Sequence, residues 1–158
     1  MSTALLIKEG DKLPEVELES YPAAGKKKTS EFRGKWLVLY FYPRDDTPGC
    51  TKEACGFRDT ISEIAKLGAN VVGVSTDSVD SHRRFHEKYS LNFPLLSDPE
   101  GKLGREIGVL NEGSSRPSMR RVTLLVDPKG VVRKIYPKVD PTVHSDEVVR
   151  DLKKFIAS

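Results

Sequence analysis

The sequence is poorest where several functional classes would need it to be rich. Its 158 residues include only two cysteines, too few for the disulfide framework of a small secreted scaffold. Their close spacing in a chain with no export signal suggests redox or metal chemistry instead. No apolar run approaches the length that spans a bilayer, and Ala4-Leu5-Leu6-Ile7 meets Lys8 and Glu9 far too soon to form a signal-peptide core. We therefore expect a cytoplasmic protein without membrane contact. Charge is not concentrated either: the net charge is +3 and the sole short basic run is Lys26-Lys27-Lys28, which reads as a solvated turn and not as a nucleic-acid surface. No internal repeat, low-complexity segment or linker divides the chain, so residues 1–158 are expected to form one domain around one core.

What is present is an alternation of apolar runs and amphipathic stretches. Val16 to Glu19 alternates as a half-exposed strand does, and leads into a hairpin or loop through Pro22 and Gly25. Thr29 to Gly34 connects it to Trp36-Leu37-Val38-Leu39-Tyr40-Phe41, which reads as a strand buried on both faces. The helix opening at Pro48 aligns Ala54, Phe57, Ile61, Ile64 and Ala65 and ends at Gly68; Asn70 to Ser75 is the next apolar strand, so a parallel crossover is implied. An amphipathic stretch from about Val79 to Tyr89, a short extended segment at Phe93 to Leu96 and one or two helical turns from Gly101 to Ile107 follow. Gly108 to Met119 reads as a surface loop. Val122–Val126 and Val131–Tyr136 flank Asp127-Pro128-Lys129-Gly130, a hairpin signal, and a helix capped at Ser145 closes the chain. The order implies an α/β sandwich around a central mixed sheet.

The stretch least explained by structure alone is Tyr40 to Phe57, YFYPRDDTPGCTKEACGF. The strand stops at Pro43, Arg44-Asp45-Asp46 make a tight polar loop, Thr47 takes the N-cap position and Pro48 the first helical one, so Cys50 falls in the first turn. Unpaired N–H groups and the positive end of the macrodipole there favour an anion, and the thiolate is the nucleophilic form of cysteine. Cys55 lies in the same helix. In an ideal helix an i,i+5 pair has Cα atoms roughly 8–9 Å apart on different faces, beyond the ~7 Å that a disulfide accepts. A bond between the two thus requires the first turn or two to unwind. Gly49 and Gly56, weak helix formers, flank that piece.

Pro43, Thr47 and Cys50 form a P-x-x-x-T-x-x-C pattern after a hydrophobic strand, which resembles the active-site signature of the peroxiredoxins. The longer DDTPGCTKEAC is similar to the subfamily called peroxiredoxin Q or bacterioferritin comigratory protein. The resemblance implies a thioredoxin-like fold and a thiol-dependent peroxidase acting on hydrogen peroxide and organic hydroperoxides. In it Cys50 would be the peroxidatic nucleophile and Cys55 the resolving thiol, joined in an intramolecular disulfide that a thioredoxin-like protein reopens. Pro43 would shield the sulfur. No haem, flavin or metal is implied. The resemblance also assigns a cation, Arg121, because R-V-T-L-L-V-D is similar to the family's arginine-led strand; thioredoxins carry proline at that place. Adjacent strand residues face opposite sides, so only one of Arg120 and Arg121 can point at the thiol. Val139 to His144 resembles a V-x-P-x-x-H element of the family, and helix start or core hydrogen bond is the plainer reading of His144. The lack of a long exposed apolar strand leads us to expect a monomer.

Attack on a peroxide leaves negative charge on the departing oxygen, where donors must be placed; the Cys50 backbone N–H and the Thr47 hydroxyl are the local candidates. Glu53, one turn beyond Cys50, either orients the arginine or is a solvated helix carboxylate. Two other functions compete. A thiol–disulfide oxidoreductase acting on proteins is disfavoured by C-x₄-C in place of C-x-x-C. A zinc-stabilised interaction module would join Cys50 and Cys55 to His82 and His86, at spacings longer than a zinc finger uses.

Overall fold

The apolar run Trp36–Phe41 has β-branched and aromatic side chains and no charge, and it becomes an interior strand of a seven-stranded mixed sheet in the computed structural model, which describes residues 5–22, 25–111 and 117–157. In chain order β1 is Glu17–Tyr21, β2 Lys26–Lys28, β3 Trp36–Phe41, α1 Pro48–Lys66, β4 Ala69–Ser75 and α2 Val79–Lys88. Then come β5 Leu95–Ser97, α3 Lys102–Ile107, β6 Leu110–Asn111, β7 Ser118–Met119, β8 Val122–Val126, β9 Val132–Tyr136 and α4 His144–Ala157. The sheet order is β2-β1-β5-β4-β3-β8-β9. β3, β4 and β5 are parallel neighbours and the other pairs are antiparallel.

Strand alternation sorts the core into two layers. From β3, Val38 and Tyr40 face the layer completed by Ala54, Phe57 and Ile64 of α1, Phe85 of α2 and Val148, Val149 and Leu152 of α4. Leu37, Leu39 and Phe41 face the opposite layer, with Leu103 and Ile107 of α3 and the early residues Ile7 and Leu13. Three helices thus cover one face, and the start of α1 lies at the end of the sheet where β3 and β4 finish and β8 begins.

Three local expectations are corrected. Ala65 is exposed, so the buried stripe of α1 runs instead through Cys50, Glu53, Ala54, Phe57 and Ile64. α4 begins at His144, one residue before the expected cap. The segment expected as surface loop, Gly108 to Met119, carries a small ribbon in which Leu110 pairs with Met119, and Met119 is fully buried; residues 112–116 lie outside the described ones. Its strands are only two residues each, too short to show an alternation among Asn, Gly, Ser and Pro. The Asp127 hairpin forms as its turn chemistry requires, with Gly130 at φ +87° and the Asp127 side chain accepting from the Lys129 and Val131 N–H groups.

Candidate active site

β3 delivers the chain to this site. Its ladder is continued by the Tyr42 N–H, which donates to the Val74 carbonyl at 3.1 Å, and stops at half-buried Pro43, which has no N–H. The loop turns through Asp46 in the left-handed region at φ 56°, a conformation aspartate tolerates. Thr47 then holds the N-cap position with extended backbone, and its carbonyl accepts the first helical bond from the Thr51 N–H at 2.8 Å. Its side chain, however, does not cap. The Thr47 hydroxyl donates to the Arg44 carbonyl at 3.0 Å, and no side-chain cap bond is made at this start. With proline at the first position, the N–H groups that remain uncapped belong to Gly49 and Cys50. The Thr47 hydroxyl expected as a donor therefore presents an acceptor to the site.

Cys50 is buried, at 1% exposure, and a cation reaches it from across the sheet. β8 pairs with β3 so that Val122 opposes Phe41, and Arg121 sits one step further, beside the start of α1. Arg121 Nη2 lies 3.4 Å from Cys50 Sγ, while Nη1 donates to Glu53 Oε1 at 2.8 Å. Arg120 points elsewhere, donating to the Gly108 carbonyl at 2.7 Å. Gly49 makes the approach possible: a Cβ there would stand 2.9 Å from Arg121 Nη2. At an effective dielectric near 20, a guanidinium this close to a thiolate is worth on the order of 4 kcal/mol before desolvation, several times the ~0.3–1 kcal/mol usual for a helix dipole. The arginine outweighs the helix start in holding the anion.

Glu53 is not a solvated carboxylate. It is 1% exposed, its second oxygen has no partner, and burial pushes its pKa up to about 7 although Arg121 pulls it down. Burial works to lower the Arg121 pKa as well, but Cys50 and Glu53 beside it outweigh this and hold it above its ordinary value. Tyr40, fully buried below with an unpartnered hydroxyl, is pushed well above its usual range by burial first and by Glu53, Cys50 and Asp45 next. A thiol, a carboxyl group and one guanidinium thus share a nearly dry space.

The loop before Thr47 is tied down by contacts that sequence reasoning did not assign to it. The Asp45 carboxylate accepts from the Tyr42 hydroxyl at 2.6 Å and the Ser81 hydroxyl at 2.9 Å, and lies 2.7 Å from His82 Nδ1. His82 Nε2 is 2.9 Å from the Leu96 carbonyl, and the Asp45 N–H donates to Asp77 at 2.8 Å. Asp46 accepts from Tyr89 Oη at 2.6 Å and Lys88 Nζ at 2.8 Å. His144 likewise spends its nitrogens on structure, at 2.8 Å from Thr123 Oγ1 and 3.0 Å from Glu147. Adjacent aspartates in a tight loop, neither in a capping position, were the available signal.

Cys55 is half-buried, and both cysteines are free within one uninterrupted helix. Gly56 serves packing: a Cβ there would come 3.0 Å from Ser145 Oγ of α4. The zinc arrangement does not assemble. His82 is committed to Asp45 and Leu96, and among the described residues no group of three or more His, Cys, Asp or Glu could hold a metal ion.

A thiol, an arginine and uncapped N–H groups converging on one point can hold a thiolate and a second oxygen anion beside it. Comparison with known proteins leads to the same chemistry. Residues 9–135 match the AhpC/TSA family. The chain is 41% identical over 153 residues to peroxiredoxin Bcp of Bacillus subtilis, covering 94% of this chain and 97% of that protein. It is 46% identical over 123 residues to a putative peroxiredoxin bcp of Coxiella burnetii, covering 75% and 82%. Among solved structures, the bacterioferritin comigratory protein of Xanthomonas campestris, described with its alkyl peroxide reduction activity, superposes with a TM-score of 0.83 at 36% identity, covering 89% of this chain and 92% of that one.

Proposed function

The chain belongs to the AhpC/TSA family, in its peroxiredoxin Q/Bcp group, with a thioredoxin-like fold and a peroxidase activity, and from that premise we propose how its residues divide the work. The Cys50 thiolate attacks the terminal oxygen of a hydroperoxide; the O–O bond breaks, the departing alkoxide or hydroxide takes a proton, and Cys50 becomes a sulfenic acid. Arg121 holds the thiolate and steadies the charge that moves onto the departing oxygen, together with the Gly49 and Cys50 N–H groups. Thr47, whose hydroxyl donates its hydrogen bond to the Arg44 carbonyl, accepts the hydrogen of the incoming peroxide, and Glu53 fixes the Arg121 fork. Pro43 shields the sulfur from water. Cys55 then condenses with the sulfenic acid, releasing water, and a thioredoxin-like dithiol reopens the disulfide by exchange.

The observation that carries this reading is the 3.4 Å approach of Arg121 to Cys50, braced by a buried carboxylate. Organic hydroperoxides are proposed as substrates beside hydrogen peroxide, with support from the activity described for the Xanthomonas campestris relative. We take residues 1–158 as one domain, because both hydrophobic layers share one sheet. We take it as a monomer, because the outer strands carry Lys26-Lys27-Lys28 and Arg133-Lys134, charges that discourage edge pairing. An enzyme that must be re-reduced by a dithiol works where such reductants are maintained, and we place it in the cytoplasm. No helix among the described residues is long and apolar enough to cross a membrane.

Peroxide consumption with a dithiol reductant tests the assignment. Cys50→Ser abolishes turnover, whereas Cys55→Ser keeps one stoichiometric reaction and then stalls with a thioredoxin-like reductant. Loss of that first reaction in both variants would contradict the roles.

A further inference from the structure

Joining Cys50 to Cys55 requires the start of α1 to unwind, and α2 holds the chain on both sides of the piece that unwinds. Upstream, Asp45 and Asp46 are each fastened to it. A carbonyl can only accept, so His82 Nε2 donates to Leu96 at 2.9 Å, while Nδ1 lies 2.7 Å from the Asp45 carboxylate. This fully buried contact joins the loop to α2 and β5 at once. Two turns further along α2, Lys88 and Tyr89 hold Asp46.

Downstream of Cys55, Phe57 is fully buried, with its ring centroid 4.9 Å from that of Tyr40 and 5.7 Å from that of His144. Its neighbour Arg58 donates to the Tyr89 carbonyl at 2.7 Å. Tyr89 therefore binds the chain twice, through its hydroxyl just before the Cys50 turn and through its carbonyl just after Cys55.

We propose that α2, chiefly through Lys88 and Tyr89, is a clamp that sets the equilibrium between wound and unwound α1 and thereby decides the fate of the Cys50 sulfenic acid. The inference rests on the peroxidase reading above. In the wound helix Cys50 sulfenic acid and a second hydroperoxide give sulfinic acid and an alcohol, or water from hydrogen peroxide. In the unwound helix the sulfenic acid and the Cys55 thiol give the disulfide and water. With both ends fastened, unwinding is confined to a short segment and gains little conformational entropy. Releasing an end widens the unwound ensemble and favours the disulfide, while the first attack, which needs the wound helix, slows. Lys88 and Tyr89 are positioning residues: they act through the loop and touch no substrate.

The test is the double variant Lys88→Met/Tyr89→Phe, which changes only an exposed position at the end of α2 and the half-buried C-cap that follows it. The full chain is titrated with hydrogen peroxide and the sulfinate-to-disulfide ratio read by mass spectrometry, with single-turnover Cys50 oxidation timed alongside. We expect the ratio to fall about three- to tenfold, the range one or two hydrogen bonds supply, and Cys50 oxidation to slow several-fold. Asp46→Asn, which tolerates the same backbone and still accepts from Tyr89, should fall between the two. A slower first oxidation together with a larger disulfide share marks a shifted α1 equilibrium, whereas loss of folded protein lowers both products alike. An active wild type with an unchanged or raised ratio in the variant would overturn the clamp alone; a wild type that consumes no peroxide would remove the reading beneath it as well.

Discussion

Two helix starts in this molecule are built from similar sequence and finished differently. At α2, Ser78 turns its hydroxyl back to accept the Ser81 N–H at 3.1 Å, and Asp80 stands in the first turn. Its orphan donors meet acceptors from its own sequence. At α1, Thr47 occupies the same position with the same extended backbone, yet gives its hydroxyl to Arg44, and no acidic residue stands in the first turn. What faces this start is the Cys50 sulfur, with the guanidinium of Arg121, the residue just before β8, at 3.4 Å from it. Local completeness is withheld at one helix so that chemistry can supply it.

The contrast can be broken most forcefully at Arg121. Arg121→Gln should slow the reaction of Cys50 with peroxide by about 10²–10³-fold, the usual effect of removing one donor from such a site. Lysine should not restore it, since one ammonium cannot bridge Glu53 and Cys50 as the guanidinium fork does. Stopped-flow kinetics in single turnover measures both.

Glu53 gives the next largest effect. Its folded-state pKa of about 7 lies above the usual 4.5, so the folded chain binds the proton more tightly than the unfolded one between those values. Stability from this group is therefore complete below about pH 4.5 and declines as pH rises to about 7, by roughly 3 kcal/mol. Denaturant unfolding across that window should show the decline in the wild type and lose it in Glu53→Gln.

Gly49→Ala sharpens the comparison differently. Alanine is the better helix former, so stability should hold or rise slightly; but its Cβ meets Arg121 Nη2 at 2.9 Å, and peroxide reduction should drop by about tenfold as the guanidinium is displaced. A variant that kept full activity would show that Arg121 does not need this approach. The smallest effect is at the control helix. Ser78→Ala should cost about 1 kcal/mol of stability, the usual worth of a cap, whereas Thr47→Ala should cost less in stability and more in rate. Equal stability losses at the two positions would erase the distinction.

What the sequence disclosed about these two starts depended on distance along the chain. Thr47, Pro48 and Cys50 are neighbours, so their placement at a helix origin could be read from spacing. The buried β3, the parallel β3-β4 pair and the final hairpin were legible for the same reason, since each rests on a period or a turn of a few residues. That one of two adjacent arginines must face the thiol followed from strand alternation, and resemblance pointed to Arg121. The burial of Glu53 was not legible, because only the pairing of β8 with β3 brings Arg121 over it. Nor were the partners that Asp45 and Asp46 find on α2 and at its C-cap, more than thirty residues away. The direction of the Thr47 hydroxyl was misjudged because a cap position predicts backbone geometry better than it predicts which acceptor the side chain will choose.

The central claim is that α1 holds Cys50 as an anion only while wound, and must open at its start to meet Cys55. Amide hydrogen exchange of the reduced and disulfide-bonded chain tests it most directly. The account predicts that the amides of residues 51–56 are protected in the reduced form and lose protection in the disulfide form, while those of α2 beyond Ser81 stay protected in both. A Cys50–Cys55 disulfide formed with the first turns of α1 still protected would contradict it.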